Sequence, residues 1–389
     1  MKFAVIGGCG HVGLPLSLLL SKNGHYVSAI DTSEEKVNTV NSGQMPFLEP
    51  GFDEILINVL ENKSFSATLD LSEVRKSDFI VIVIGTNLDE YMNPEPDLVF
   101  SLVKDLIPYL DENKKIILRS TIFPGLTNKI ENYLKEFFPK IQIAFCPERI
   151  AEGKAMQELT TLPQIIGCRD DSTFNNFKKV FDVLGIESIK SSPEEAELAK
   201  LFTNSWRYLK FAISNQFYMM ATDFGVNYKN VRDIIINDYP RAHDLPIAGF
   251  AAGPCLLKDT LQLGAFNNNN FTIGQAATLV NEGLPYYLVN RISKTNNLEN
   301  LTVGILGMAF KAESDDTRAS LSYKLRKILE FKCKKVLCHD PFVKDNSFFD
   351  LDYVINNSDI LIIATPHRVY EDIKTKKLII NLWDNQLIN

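Results

Sequence analysis

Short apolar runs alternate with amphipathic stretches along the first half of the chain. The opening stretch contains a buried strand, a glycine turn, a helix with apolar periodicity and a second strand that ends at Asp31. Further apolar runs typical of strands lie at 79–85, 115–121 and 142–145, and most of them are separated by helical stretches. This alternation predicts an α/β fold with a doubly wound parallel sheet.

One long helical pattern begins near residue 190. Ser192 can cap it, Pro193 suits the first helical position, and Glu195 completes a capping box. No further glycine or proline occurs before Gly225, so we expect a helix of about 30 residues, or about 45 Å. A helix of that length usually links two domains or forms a subunit interface.

A second α/β pattern occupies the C-terminal part of the chain. It follows another helical stretch at about 272–294, and its apolar runs are "LTVGIL", "KKVLCHD", "DILIIAT" and "LIINL". The whole pattern predicts two Rossmann-like doubly wound domains joined by the long central helix. The expected domain boundaries are 1–190, 191–295 and 296–389.

The composition is that of a globular protein and narrows the choice of partners. A chain of 389 residues suggests two or three domains. No apolar run is long enough to span a bilayer and no signal-peptide pattern occurs, so we expect a cytoplasmic protein without a membrane partner. The net charge of -7, with no basic stripe, argues against nucleic acid, although a local basic pocket for a phosphorylated ligand is compatible with it.

The cysteines and histidines restrict the chemistry. The six cysteines form no CxxC pair and lie near no histidine cluster, so neither a zinc site nor a disulfide framework is predicted. Only five histidines are present, which leaves few candidates for a histidine base. Lysine, carboxylate and thiol chemistry is therefore favoured.

The segment "GCGHVG" follows the first strand and opens the first helix, as a dinucleotide fingerprint requires. Its glycines permit a tight turn and let a pyrophosphate approach the backbone N–H groups at the helix N-terminus. Asp31 at the end of the second strand can bind ribose hydroxyls and would repel a 2′-phosphate, which favours NAD over NADP. The loop residues expected to bind the cofactor are Gly8, Gly10, His11, Val12 and Gly13.

Three further polar residues lie at or just after the carboxyl ends of predicted strands, where ligands gather in an open parallel sheet. They are Thr86, Thr121 and Glu148. Each also has a purely local explanation, and singly that explanation is favoured. The threonines can end strands or cap helices, and the glutamate can be a solvated loop acid.

Lysine and thiol candidates lie on the long helix and after a bend rich in small residues. Lys200 and Asn204 share a helix face, where the lysine either snorkels or holds its ammonium toward a developing oxyanion. Cys255 ends the bend "GFAAGPC", and Asp259 follows it by one helical turn. A thiol in that position is either packed away or held out to react.

Eight motifs occur in the order and at roughly the spacing of the nucleotide-sugar 6-dehydrogenases. They are "GCGHVGLP", "STIFPGLT", "CPERIAEGKAMQEL", "AELAKLFTNSWRYLKFAISNQ", "GPCLLKD", "GMAFKAESDDTRAS", "HDPF" and "TPHR". The chain therefore resembles UDP-glucose and UDP-N-acetylhexosamine dehydrogenases over nearly its full length. The resemblance implies an NAD-binding domain, a central dimerisation domain and a C-terminal nucleotide-sugar-binding domain, in a homodimer.

Enzymes of that family oxidise the C6 alcohol of the sugar to a carboxylate with two NAD per turnover, through a thiohemiacetal and a thioester on one cysteine. Cys255 matches that cysteine. By the same matching, Lys200 and Asn204 stabilise oxyanions at C6. The residues that match those placing and activating the hydrolytic water are Thr121, Glu148 and Asp259.

The resemblance also implies a set of residues that bind the UDP-sugar. Glu148, Arg149 and Ile150 follow the third predicted strand after Asp31 and match the sugar side, together with Lys200 and Asn204. Lys311 and Arg318 match positions that hold the nucleotide. Arg241 matches a position from which similar enzymes reach the substrate of a neighbouring subunit. For the last three an ordinary surface role is the alternative.

The sequence departs from the family pattern before the cysteine, where Ala252, Gly253 and Pro254 replace two glycines and a histidine or serine. Arg149 in "PERIAEGKA" favours the N-acetylhexosamine branch, because the glucose branch typically has phenylalanine there. UDP-glucose 6-dehydrogenase activity is the alternative within enzymes. A catalytically silent paralogue that binds NAD and a nucleotide sugar is the alternative of another class, and the joint retention of the matched catalytic residues argues against it.

Overall fold

The computed structural model describes residues 1–86, 89, 94–95 and 97–384. The chain forms two compact units, Met1–Phe202 and Thr203–Asn389, and the long helix continues from the first into the second. The three-part division at residues 190 and 295 stays a prediction.

The first unit contains an eight-stranded sheet in the order β3-β2-β1-β4-β5-β6-β7-β8. Its strands are β1 Lys2–Ile6, β2 Tyr26–Ile30, β3 Phe65–Thr68, β4 Phe79–Ile82, β5 Lys115–Leu118, β6 Gln142–Phe145, β7 Gln164–Gly167 and β8 Ser188–Ser191. Its helices are α1 Gly13–Lys22, α2 Glu34–Asn41, α3 Asp53–Glu61, α4 Asp97–Leu106, α5 Leu126–Lys135, α6 Ala155–Thr161, α7 Asp171–Asp182 and the start of α8 Pro193–Phe224.

The predicted doubly wound sheet is confirmed, with one departure in direction. Strands β1 to β6 pair in parallel, whereas β6 and β7 meet in antiparallel orientation at Phe145 and Gly167. The strand predicted over 79–85 ends at Ile82, because its partner β1 ends at Ile6, which pairs with Ile82. The sequence analysis did not predict β3, β7 and β8, whose short segments include half-buried and exposed positions.

The central strands β1, β4, β5 and β6 are almost wholly apolar and buried, because both faces of the sheet are covered there. Phe3 and Val5 of β1 belong to one core, and the alternate residues Ala4 and Ile6 belong to the core on the other face. Successive side chains of a strand point to opposite faces, so one apolar run serves two cores. Burying each large apolar side chain contributes about 1.5–3 kcal/mol relative to an exposed one.

Helix α8 has the bounds and the cap that its sequence predicts. It spans 32 residues. Ser192 donates its backbone N–H to Glu195 Oε2 at 2.8 Å, and the Glu195 N–H donates to Ser192 Oγ at 3.3 Å, which completes the capping box. The helix ends where Gly225 adopts a φ of +86°, a conformation that favours glycine.

The second unit contains a four-stranded parallel sheet in the order β10-β9-β11-β12. Its strands are β9 Thr302–Leu306, β10 Lys335–His339, β11 Ile360–Ile363 and β12 Leu378–Asn381. Its helices beyond α8 are α9 Tyr228–Ile236, α10 Leu256–Phe266, α11 Thr272–Ser293, α12 Leu321–Lys332 and α13 Leu351–Asn357. The second α/β pattern of the sequence is thus confirmed. Within the described ranges, no helix is both long and apolar enough to cross a membrane.

Candidate active site

The glycine loop between β1 and α1 has the shape that a dinucleotide requires. A Cβ atom on Gly8 would lie 2.6 Å from the Val5 carbonyl oxygen, and one on Gly13 would lie 2.2 Å from the Gly7 carbonyl oxygen. The fold itself therefore demands both glycines. A Cβ on Gly10 would make only an ordinary contact, 3.5 Å from the Gly7 oxygen. Gly10 instead leaves room for a pyrophosphate at the start of α1, and the loop fits NAD.

Asp31 lies at the end of β2, beside this loop. Its carboxylate accepts hydrogen bonds from the backbone N–H groups of Cys9 and Ser33, both at 3.1 Å. The structure thus brings together the glycines and the acid that the sequence pattern paired. His11 packs against Phe47, with ring centroids 4.0 Å apart and ring planes tilted by 31°.

Two threonines meet at the carboxyl ends of adjacent strands. Thr86 follows β4 and donates from its hydroxyl to the carbonyl oxygen of Thr121, which follows β5, at 2.7 Å. Val12 is the N-cap residue of α1, and its carbonyl oxygen accepts the Leu16 N–H at 3.5 Å. All three residues lie on loops that follow β1, β4 or β5, at the edge where a doubly wound sheet binds its ligands.

Glu148 is buried, so the interpretation of it as a solvated loop acid is wrong. One carboxylate oxygen accepts the backbone N–H groups of Arg149 and Ile150 at 2.7 and 2.9 Å. The other oxygen pairs with the guanidinium of Arg119, which is itself buried and also donates to Gln164 Oε1 at 2.9 Å. Nothing local to "CPERIAEG" reveals this partner, because Arg119 follows directly after β5 and is distant in sequence.

The two residues after Glu148 have their own partners within the first unit. The Arg149 guanidinium donates to the carbonyl oxygen of Pro163, and burial, opposed by the charge of Glu148, lowers the pKa of Arg149. Ile150 packs against the core that covers one face of the sheet. Their predicted part in sugar binding stays a prediction.

The first turns of α8 are fixed by a buried carboxylate. Glu197 accepts the backbone N–H groups of Gly125 and Thr127 at 2.6 and 2.9 Å, and burial raises its pKa. These N–H groups belong to the start of α5, so Glu197 caps that helix although it lies about 70 residues later in the sequence. Lys200 lies about one turn further along α8 and is half-buried. The sequence analysis missed Glu197.

Cys255 differs from the other cysteines in being exposed. It is the N-cap residue of α10, and its carbonyl oxygen accepts the Asp259 N–H at 2.9 Å in the first turn. The N-terminal end of a helix favours anions such as a thiolate. Burial raises the pKa of the remaining thiols, to about 12 for Cys9 and Cys338, to about 11 for Cys168 and Cys333, and also for Cys146.

Asp259 and Asn204 form a buried pair within the second unit. Asn204 Nδ2 donates to Asp259 Oδ2 at 2.5 Å, and the two residues are 4% and 0% exposed. Lys258 Nζ lies 3.2 Å from the other carboxylate oxygen. The amide therefore orients a carboxylate that follows Cys255 by one helical turn along the chain. The predicted action of these residues on a common substrate stays a prediction.

The bend before Cys255 tolerates the departures from the family pattern. Gly253 adopts the left-handed φ of +100°, while Ala252 and Pro254 do not. A Cβ on Gly253 would lie 2.7 Å from the ring of Phe310, so this glycine is required by both backbone and packing. The bend delivers an exposed thiol, which favours a reactive cysteine over a packed one.

Lys311 and Arg318 lie on the loop between β9 and α12. The Arg318 guanidinium donates to both carboxylate oxygens of Asp316, at 3.0 and 2.9 Å from Nε, and its side chain is 53% exposed. Lys311 is half-buried. A loop that carries two cations suits the phosphates of a nucleotide, and this role stays a prediction.

A buried pair anchors the start of this loop and was not assigned a role from the sequence. Asp340 accepts the backbone N–H groups of Met308 and Ala309 at 2.7 and 2.9 Å and lies 3.1 Å from His367 Nε2. Burial alone would raise the pKa of Asp340, but hydrogen bonds from His367 and Ala309 outweigh it and lower the pKa to about 2. These residues come from the "HDPF" and "TPHR" motifs, which could have signalled them.

Arg241 lies in an exposed stretch after α9. Its Nε donates to the Tyr239 hydroxyl at 2.8 Å, and the guanidinium lies 4.8 Å from the centroid of that ring. Its role toward a neighbouring subunit stays a prediction.

Domain models of one family match nearly the whole chain. The NAD binding domain of the UDP-glucose/GDP-mannose dehydrogenase family matches residues 1–184, its central domain 194–283 and its UDP binding domain 304–388.

Similar proteins have related names. A UDP-N-acetyl-D-mannosamine dehydrogenase of Methanococcus vannielii is 30% identical over 97% of this chain and 88% of its own length. The solved structure of a UDP-D-ManNAc dehydrogenase of Pyrococcus horikoshii shares the fold, with a TM-score of 0.90 and 24% identity over 99% of this chain and 100% of that one. A UDP-glucose dehydrogenase structure of Pyrobaculum islandicum has a TM-score of 0.89 and 25% identity over 98% and 94%.

Proposed function

Because the chain belongs to the UDP-glucose/GDP-mannose dehydrogenase family, we propose that it oxidises the C6 alcohol of UDP-N-acetyl-D-mannosamine to the carboxylate. It is an NAD-dependent nucleotide-sugar dehydrogenase. Several relatives along nearly the full chain bear the mannosamine name, which supports this sugar. The structural observation that carries the proposal is the exposed thiol of Cys255, one turn from the buried Asn204–Asp259 pair.

NAD supplies the hydride acceptor in both oxidations, and the glycine loop with Asp31 is proposed to hold it. In the first oxidation C6 loses a hydride to this acceptor and the C6 hydroxyl loses its proton to solvent, which leaves the aldehyde. The Cys255 thiolate then adds to C6 and forms a C–S bond, and the π electron pair of the carbonyl moves to its oxygen, which becomes the thiohemiacetal oxyanion. Lys200 and Asn204 are proposed to stabilise the negative charge on that oxygen. The second oxidation leaves a thioester on Cys255.

Hydrolysis of the thioester closes the cycle. The water oxygen bonds to the acyl carbon, the C–S bond breaks, and its electron pair leaves with the Cys255 sulfur. One water proton returns to the thiolate and the other passes to solvent with ionisation of the new acid. Thr121, Glu148 and Asp259 are proposed to place and activate this water.

Exposed apolar side chains on α8 support the proposal of a homodimer. Trp206, Phe217, Met220 and Phe224 are 55%, 43%, 60% and 84% exposed and recur at spacings that place them along one stripe of the helix. A stripe of this size is costly to leave in water, and a symmetric contact with the same stripe of a second copy would cover it.

NADH production with a panel of UDP-sugars tests the proposed function. We expect two NADH per UDP-N-acetyl-D-mannosamine, and a lower kcat/KM with UDP-N-acetylglucosamine and UDP-glucose. Cys255→Ser should stop acid formation, whereas the matched control Cys333→Ser should retain it, because Cys333 is a half-buried thiol. A preference for UDP-glucose would establish the alternative that similarity to UDP-glucose dehydrogenases suggests. No NADH with any sugar would favour a silent paralogue.

A further inference from the structure

The backbone at the start of the Cys255 bend is held by one side chain of α8. Asn215 Nδ2 donates to the Gly249 carbonyl oxygen at 3.0 Å, and Asn215 Oδ1 accepts the Gly249 N–H at 2.8 Å. Two hydrogen bonds in opposite directions fix both the position and the orientation of the Gly249 backbone. The bend runs from this point to the thiol in six residues.

The Asn215 amide is itself held in one orientation. Its Nδ2 also donates to Asn281 Oδ1 at 2.9 Å, and Asn281 Nδ2 donates to the carbonyl oxygen of Tyr208 at 3.1 Å. Asn215 and Asn281 are both 0% exposed, so water does not compete for these bonds. A buried network in which each amide is paired is rigid and costly to break.

Two asparagines of α8 therefore bracket the thiol. Asn204 binds Asp259, four residues after Cys255, and Asn215 binds Gly249, six residues before it. The two asparagines are eleven residues apart, close to three full turns, so they lie on one face of the helix. Side chains of the same helix thus form hydrogen bonds with the chain on both sides of Cys255.

Other backbone hydrogen bonds form later in the bend and do not involve Gly249. The Ala252 N–H donates to the Phe250 carbonyl oxygen at 3.0 Å, the Gly253 N–H reaches the Ala319 carbonyl oxygen at 3.4 Å, and Pro254 lacks an N–H. The ring of Trp383 covers Gly249 so closely that a Cβ there would lie 2.4 Å from it, which leaves the Gly249 backbone no room to shift on that side.

We propose that Asn215 is a positioning residue for the Cys255 thiol. It holds the start of the bend so that the sulfur stays at the N-terminus of α10 and at the reacting carbon. This role rests on the proposed function, because it assumes that Cys255 is the nucleophile. A misplacement of about 1 Å in a reacting group can cost about 10²-fold in rate.

The test compares Asn215→Ala with Asn281→Ala, because both remove a fully buried amide but only Asn215 bonds to the bend. We expect kcat to fall by about 10²-fold in Asn215→Ala, with KM for the UDP-sugar within about twofold. Asn281→Ala keeps both hydrogen bonds between Asn215 and Gly249 but removes a neighbour that orients the Asn215 amide. Its kcat should therefore fall by less than about tenfold, at a Tm close to that of Asn215→Ala. Equal losses of kcat in the two variants, or a higher KM with unchanged kcat in Asn215→Ala, would overturn the proposal.

A second readout does not depend on turnover. We expect the pH midpoint of iodoacetamide alkylation at Cys255, followed by peptide mass spectrometry, to rise in Asn215→Ala because the thiolate leaves the helix N-terminus. An unchanged alkylation profile would contradict the positioning role even if the wild type oxidised no sugar. Asn215→Asp keeps the acceptor for the Gly249 N–H and serves if the alanine variant does not fold. Its alkylation midpoint should also rise, and an unchanged one would refute the role.

Discussion

Removing the Asn204 amide should destabilise the second unit, because it leaves a fully buried carboxylate with a missing donor. Asn204 Nδ2 lies 2.5 Å from Asp259 Oδ2, and a hydrogen bond to a charged group contributes about 1.5–3 kcal/mol. Lys258, 3.2 Å from the other carboxylate oxygen, stays in place and partly compensates. We therefore expect Asn204→Ala to lower the free energy of unfolding by about 2 kcal/mol.

A double-mutant cycle isolates the pair. Asn204→Ala, Asp259→Ala and the double variant are unfolded in urea, and the transition is followed by tryptophan fluorescence. Both tryptophans, Trp206 and Trp383, lie in the second unit, so the signal reports on the unit that contains the pair. We expect a coupling energy of about 2 kcal/mol.

The control is Asn230→Ala, which truncates an exposed asparagine of α9 in the same unit. Its free energy of unfolding should stay within about 0.5 kcal/mol of the wild type. Single effects of Asn204→Ala and Asp259→Ala that simply add would mean that the buried contact contributes nothing, and the assignment of Asn204 as the group that orients Asp259 would be wrong.

Four other predictions concern the cofactor, the thiol and lysine, the dimer and Asp340. The enzyme should have a much higher kcat/KM with NAD than with NADP, because the Asp31 carboxylate repels a 2′-phosphate. Comparable kcat/KM values with the two cofactors would refute the assignment of Asp31 to the ribose. Cys255→Ser should lose acid formation yet bind the nucleotide sugar, whereas Lys200→Ala should slow oxidation while a sugar adduct still forms on Cys255, as read by mass spectrometry. Phe217→Glu should yield monomers in sedimentation at micromolar concentration, and a wild type that is itself monomeric would disprove the proposed dimer. Because the folded-state pKa of Asp340 is lowered to about 2, its contribution of about 2 kcal/mol is present above pH 4 and lost as the pH falls toward 2. Asp340→Asn should remove that part of the acid dependence of Tm.

Local signals in the sequence were enough for the long helix and the cofactor loop. The capping box and the absence of helix breakers predicted α8 from Pro193 to Gly225, and the structure ends it at Phe224. Glycine spacing after a strand predicted the loop at 8–13, because steric demands on backbone atoms act between near neighbours. Motif resemblance assigned roles to Cys255 and its neighbours, whose order along the chain is itself a sequence property.

Only the tertiary structure decided which polar groups pair in the interior. The partner of Glu148 is Arg119, and the partner of Gly249 is Asn215, each about 30 residues away in sequence. The direction of β7 and the end of β4 likewise depend on neighbouring strands. Periodicity reports which side chains turn inward, but a buried amide or carboxylate is satisfied by whichever donor packing brings within about 3 Å. That choice is made by contacts between distant segments, and no local pattern encodes it.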